Sequence, residues 1–180
     1  GHAWLGCGEC EHQVKAHLHF SGAHGHAHAD NLNLALFAKG QELLSDVGYT
    51  HTRYRKWTTS TLAHNTVLID EQGQYAERDQ DPTEGRLLAF ETGTGPLQWV
   101  EASAERVYPG VAREYRRTLA LVPVRGGDTY VVDLFRVTGG SQHDWVIHGS
   151  ADADGRAEVG VPLEPFGEHM LPGVNVRYPR

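Results

Sequence analysis

Alternation with period two runs through most of this chain and restricts its fold to sheets. From Gln13 to Phe20, the residues Val14, Ala16, Leu18 and Phe20 share one face of an extended strand, while Lys15, His17 and His19 take the other. Leu32, Leu34, Leu36 and Ala38 repeat the pattern over 32–38, and Lys39-Gly40 reads as a hairpin turn into a strand over 42–46. Further strands are expected at 66–69, 86–92, 98–104, 115–122, 129–137 and 144–148, with Glu71-Gln72-Gly73-Gln74 and Gly126-Gly127 as turns. No stretch carries a convincing amphipathic helical period. Strand-sized runs punctuated by turn signals predict an all-β, antiparallel β-sandwich. A water-facing side on each strand accounts for the many Thr, Arg and Gln residues between the apolar ones.

At 180 residues the chain is long enough for a single domain over 1–180 with a substantial core. It starts at Gly1-His2-Ala3-Trp4 without Met and stops at Tyr178-Pro179-Arg180, so a fragment of a longer protein is expected. A formal net charge of -7 argues against general nucleic-acid binding. No apolar run approaches the roughly 18–20 residues needed to span a bilayer. Cys7-Gly8-Glu9-Cys10 lacks the second pair that a zinc ribbon requires, so a structural or incidental role is favoured for both thiols.

The chemistry concentrates in His24-Gly25-His26-Ala27-His28-Ala29-Asp30-Asn31. On an extended strand His24, His26 and His28 would share one face, an arrangement suited to a metal site or to proton transfer. Asp46 follows His28 by 18 residues, after a hairpin that turns the chain back, and His64 follows Asp46 by another 18. His28, Asp46 and His64 would make a His2Asp metal shell with open positions. The competing reading has Asp46 capping a turn and His64 as a satisfied, half-buried imidazole. The run His51-Thr52-Arg53-Tyr54-Arg55-Lys56 is locally basic, either a solvated loop or a carboxylate clamp built on the planar guanidinium fork.

Three phrases carry a resemblance: His26-Ala27-His28-Ala29-Asp30-Asn31-Leu32, then Gly40-Gln41-Glu42-Leu43-Leu44-Ser45-Asp46-Val47-Gly48-Tyr49, then Ser60-Thr61-Leu62-Ala63-His64-Asn65-Thr66-Val67-Leu68-Ile69-Asp70. In order and spacing they resemble the heparinase II/III-type polysaccharide lyases, including oligo-alginate lyases. The resemblance implies the C-terminal β-sandwich of an enzyme whose N-terminal α/α toroid lies outside this chain and packs against it. It implies His26 as a catalytic residue facing the substrate cleft. It also implies His28, Asp46 and His64 as ligands of a mainly structural zinc ion. An extra His24 precedes the pair, so His24 and His26 are rival frames for the catalytic position.

The implied reaction is β-elimination across a glycosidic bond next to a uronic acid, as in heparin-, heparan- or alginate-type glycans. An imidazole with an unperturbed pKa near 6.5 serves as base or acid in such a step. Arg53 and Arg55 are the candidate substrate-binding residues for the anionic polysaccharide or oligosaccharide. Tyr49, Tyr54 and Tyr75 carry no motif that marks a catalytic Tyr, so structural roles are favoured for them. His148 is expected as a packed strand histidine, and core packing is favoured over sugar stacking for Trp57 and Trp99. Degradation of such polymers implies a bacterial periplasmic or secreted location. Two other classes remain open: a non-catalytic carbohydrate-binding or structural sandwich, and a small metal-dependent hydrolase or oxygenase on a β-barrel.

Overall fold

In a computed structural model that describes residues 1–22, 28–76, 83–93, 95–156 and 158–164, the alternating stretches become antiparallel strands. The first sheet runs β1 (His2–Cys7), β2 (Val14–His19), β3 (Leu34–Ala38) and β4 (Gln41–Leu44), each paired with the next. A short ribbon pairs β5 (Val67–Ile69) with β10 (His143–Trp145). The second sheet runs β6 (Arg86–Glu91), β7 (Gln98–Ser103), β8 (Glu114–Pro123) and β9 (Thr129–Thr138).

The two four-stranded sheets pack face to face, as expected for the sandwich. Ala3 and Leu5 of β1 and Val14, Ala16 and Leu18 of β2 meet Val100 and Ala102 of β7 and Tyr115, Leu119 and Leu121 of β8 in one buried cluster. The predicted β2 face is the buried one, with Phe20 continuing it and Lys15 exposed. Burying each large aliphatic side chain here contributes about 1.5–3 kcal/mol. At the Lys39-Gly40 hairpin both residues take positive φ, 54° and 77°, the backbone of the tight turn that matches strand twist.

Several details differ from the sequence expectation. β1 was not anticipated, because Gly6, His2 and Cys7 dilute its alternation and leave Ala3 and Leu5 as its apolar face. β4 ends at Leu44, so Asp46 lies in the loop beyond the strand rather than at its end. β10 ends at Trp145, which leaves His148 outside any strand. Its backbone N–H is bound by Asn65 Oδ1, and its Nε2 lies 2.8 Å from the Leu62 carbonyl oxygen. Arg55–Thr58 forms one helical turn. His28 is in no strand either, and His24 and His26 lie outside the described residues.

Candidate metal centre

Three loops at one end of the sandwich converge. The first, at 28–33, is a turn closed by the Asn33 N–H on the Asp30 carbonyl at 3.0 Å, with Leu32 at φ 60°. Leucine rarely adopts that left-handed conformation, so neighbours must hold it. They do: the Leu32 N–H donates to the His19 carbonyl at 2.7 Å, and Ala29 N–H donates to Thr59 at 3.0 Å. Gln74 locks Asn31 by accepting its N–H at 2.7 Å and donating to its carbonyl at 2.9 Å. The Asn31 side chain donates to the Ser21 and Thr83 carbonyls.

The second loop carries Asp46. Its Oδ1 accepts the Gly48 N–H at 2.8 Å and its Oδ2 accepts Asn33 Nδ2 at 3.1 Å. The turn-capping role weighed for Asp46 is therefore present, and it leaves the carboxylate aimed inward. The third loop presents His64 just after the 3-10 turn Thr61–Ala63. His64 is fully buried rather than half-buried. Its Nδ1 lies 2.7 Å from the Ser60 carbonyl, which assigns the proton to Nδ1 and directs Nε2 into the cluster. Asn65 ties the loops together, its N–H donating to Asn33 Oδ1 and its amide to the Leu34 and Ser45 carbonyls.

Ligand-type atoms of His28, Asp30, Asp46 and His64 consequently lie within 4.8 Å of one another. His64 Nε2 is 3.0 Å from His28 Nδ1 and 3.6 Å from Asp46 Oδ1. These separations bracket the edge of about 3.3 Å expected when donors sit tetrahedrally at zinc–nitrogen distances of 2.0–2.1 Å. Asp30 is nine-tenths buried; its Oδ2 lies 2.7 Å from His19 Nδ1, whereas its Oδ1 is buried with no hydrogen-bond partner. Two imidazoles, two carboxylates and an orphaned buried carboxylate oxygen are a donor set that fits a borderline divalent ion.

The electrostatics of the cluster demand positive charge. Burial opposes a charged His64, yet the Asp46 hydrogen bond and the Asp30 and Asp46 charges outweigh it and raise its pKa. Burial likewise opposes ionised Asp46, but His64 and the Gly48 N–H hold that carboxyl down to about 2. Burial and the neighbouring His64 lower the pKa of His28, which keeps its ring neutral. A proton on His64, or a divalent cation in its place, supplies the positive charge that the two carboxylates face.

Tyr49 stacks against His28 at 6.0 Å between centroids, and the half-buried Arg55 guanidinium lies 4.5 Å above the Tyr49 ring. Arg53 is exposed, donates to Tyr54 Oη at 2.7 Å and sits over that ring. Tyr49, Tyr54, Thr50, Thr52, Trp57 and His148 line a cavity of about 700 Å³ beside the cluster. Tyr49 and Tyr54 therefore lie beside the cluster, while Tyr75 sits apart with its N–H on Val107. Trp57 packs on Leu62, Leu68 and Val146, as a core residue would. Cys7 and Cys10 are free thiols, and Cys7 contacts Thr129 Oγ1 at 3.2 Å instead of the cluster.

Residues 13–171 match the family model described as heparinase II/III-like, C-terminal. The chain belongs to that family. It is 28% identical over 141 residues to an alginate lyase of Stenotrophomonas maltophilia, covering 69% of this chain and 19% of that protein. It is 29% identical over 130 residues to an exo-oligoalginate lyase of Saccharophagus degradans, covering 63% of this chain and 17% of that protein. The chain thus spans under a fifth of the length of these curated relatives. A mutant of the heparan sulfate lyase HepC from Pedobacter heparinus superposes with a TM-score of 0.59 at 23% identity, covering 77% of this chain and 21% of that one. A heparinase III superposes with a TM-score of 0.60 at 21% identity, covering 78% and 21%. These likenesses show a shared β-sandwich fold. The family's named relatives are polysaccharide lyases.

Proposed function

We propose that this chain is the β-sandwich part of a polysaccharide lyase that cleaves uronate-containing glycans by β-elimination, working with an α/α toroid from the rest of the protein. The observation that carries the reading is the meeting of the three family phrases at one cluster of inward-facing donors, beside a cavity lined by Tyr49, Tyr54 and Trp57, with Arg55 over the Tyr49 ring. His28, Asp46 and His64 hold a zinc ion, with Asp30 supplying the remaining donor. A bound zinc ion supplies fixed positive charge to four ligands and so cross-links the three loops.

The remaining chemistry falls to the chain's own side chains. His26, two positions before His28, takes the C5 proton or returns a proton to the departing glycosidic oxygen. Each such transfer is typically worth about a hundred- to ten-thousand-fold in rate. Arg55, steered by the Tyr49 ring, and Arg53 pair with the sugar carboxylate and favour the charge that develops when C5 loses its proton. Such substrates are met in the periplasm or outside the cell.

The test is the absorbance of the unsaturated uronate formed by the full-length protein acting on alginate and heparan oligosaccharides. His26→Ala is expected to lower kcat at least a hundredfold, and Arg55→Ala to raise KM about tenfold. Undiminished turnover in His26→Ala would remove that residue from the catalytic set. Glycan binding with no elimination by the full-length protein would leave the non-catalytic carbohydrate-binding reading.

A further inference from the structure

The second sheet sends one charged side chain through the core to the metal loops. Arg117 lies on β8 at a position where alternation calls for an apolar residue, between the buried Tyr115 and Leu119, and it is itself fully buried. Its Nε and Nη2 donate to the two carboxylate oxygens of Asp133 on β9 at 2.9 and 2.7 Å. Its Nη1 donates to the Leu32 carbonyl at 2.6 Å and to the Asn65 carbonyl. The guanidinium carbon stands over the Phe135 ring at 5.3 Å.

Those two carbonyls belong to the loops that carry the donors. Leu32 is the left-handed residue of the Asp30–Asn33 turn, and Asn65 follows His64. Asn33 then reaches Asp46 Oδ2, so the second loop is one side chain further on. A buried ion pair is a weak source of stability compared with apolar side chains of equal volume. What a planar fork provides here is geometry, because it sets two carbonyls and a carboxylate at fixed angles about one rigid group.

We propose that Arg117, oriented by Asp133, is the positioning residue of the metal centre, holding the Leu32 and Asn65 carbonyls at the spacing that lets Asp30, Asp46 and His64 share one ion. This rests on the zinc reading above. Lysine keeps the charge opposite Asp133 but cannot serve both carbonyls and both carboxylate oxygens in one plane.

The experiment compares the full-length wild type with Arg117→Lys, Asp133→Asn and Leu119→Ala. The last is a control that cuts a cavity in the core at a neighbouring inward position of the same strand, where the side chain makes no hydrogen bond to the loops. Zinc affinity is measured by chelator competition, and site geometry by the visible spectrum of the cobalt(II)-substituted protein. Arg117→Lys is expected to weaken zinc binding 10- to 100-fold, as loss of outer-shell support does, with a changed cobalt spectrum. Asp133→Asn shifts both readouts in the same direction by less, and Leu119→Ala leaves affinity within about twofold. Wild-type affinity and spectrum in Arg117→Lys, or in Asp133→Asn should the lysine variant not fold, would overturn the proposal and leave the zinc reading intact. Absence of zinc binding by the wild type would overturn both.

Discussion

Between the two four-stranded sheets the buried residues are mostly Leu, Val, Ala and Tyr, with Arg117 the charged exception, whereas the converging loops bury Asp, Asn, Ser, Thr, Gln and His beside a few apolar side chains. The first interior is held by shape and area, so many side chains of similar volume satisfy it. The second is held by named donors and acceptors: Asn31, Asn33, Asn65, Gln74 and Thr66 each bond a backbone group of a neighbouring segment. The lesson of the contrast is that the sandwich supplies a rigid floor, while a polar network on that floor sets where His28, Asp46 and His64 stand.

Single apolar substitutions in the two interiors should expose this contrast most sharply. Asn65→Leu strands the Leu34 and Ser45 carbonyls and the His148 N–H. At about 1–3 kcal/mol per buried unsatisfied group, it should cost about 3–5 kcal/mol in urea unfolding. Leu119→Met, in the apolar interior, should cost under about 1.5 kcal/mol. Equal costs would show that the polar interior specifies no more than the apolar one.

Zinc should act on the polar interior alone. At about 100 times its Kd the ion should add about 2.7 kcal/mol to wild-type stability. His28→Ala should erase that gain without lowering the metal-free protein's melting temperature by a comparable amount. A zinc-dependent shift retained in His28→Ala would place the ion elsewhere.

The smallest effect is expected outside both interiors, where Glu101 on the outer face of the second sheet bonds Arg116, Thr118 and Arg136. Hydrogen bonding from Arg116 outweighs burial and holds the Glu101 carboxyl below its ordinary range. A depressed folded-state pKa contributes stability that is complete above the unfolded value, about 4.3, and is lost as pH falls through the folded value. Glu101→Gln should therefore cost about 0.5–1 kcal/mol at pH 7. The gap from wild type should narrow in unfolding curves as pH falls below about 4.3 and through the depressed folded value; a gap that does not narrow there would assign the effect to packing rather than charge.

Legibility in the sequence divides along the same line. Val14, Ala16, Leu18 and Phe20 announce their buried face by alternation, and Lys39-Gly40 announces its hairpin, because each depends only on local geometry. The approach of His28, Asp46 and His64 depends on loops that no periodicity describes, and it was legible through the family phrases. Asp30 stood in the quoted histidine phrase without being singled out, since its role follows from an oxygen that has no partner only once the fold is closed. Arg117 did leave a signal, a charge at an inward position of an otherwise apolar-faced strand, but its loop acceptors, the Leu32 and Asn65 carbonyls, lie more than 50 residues away in sequence.

The account is tested most directly by anomalous difference maps from crystals of the full-length protein, recorded on both sides of the zinc absorption edge. It predicts one edge-dependent peak about 2.0–2.2 Å from His28 Nδ1, His64 Nε2 and an Asp46 carboxylate oxygen. A zinc-loaded crystal with no peak among those three side chains would contradict it.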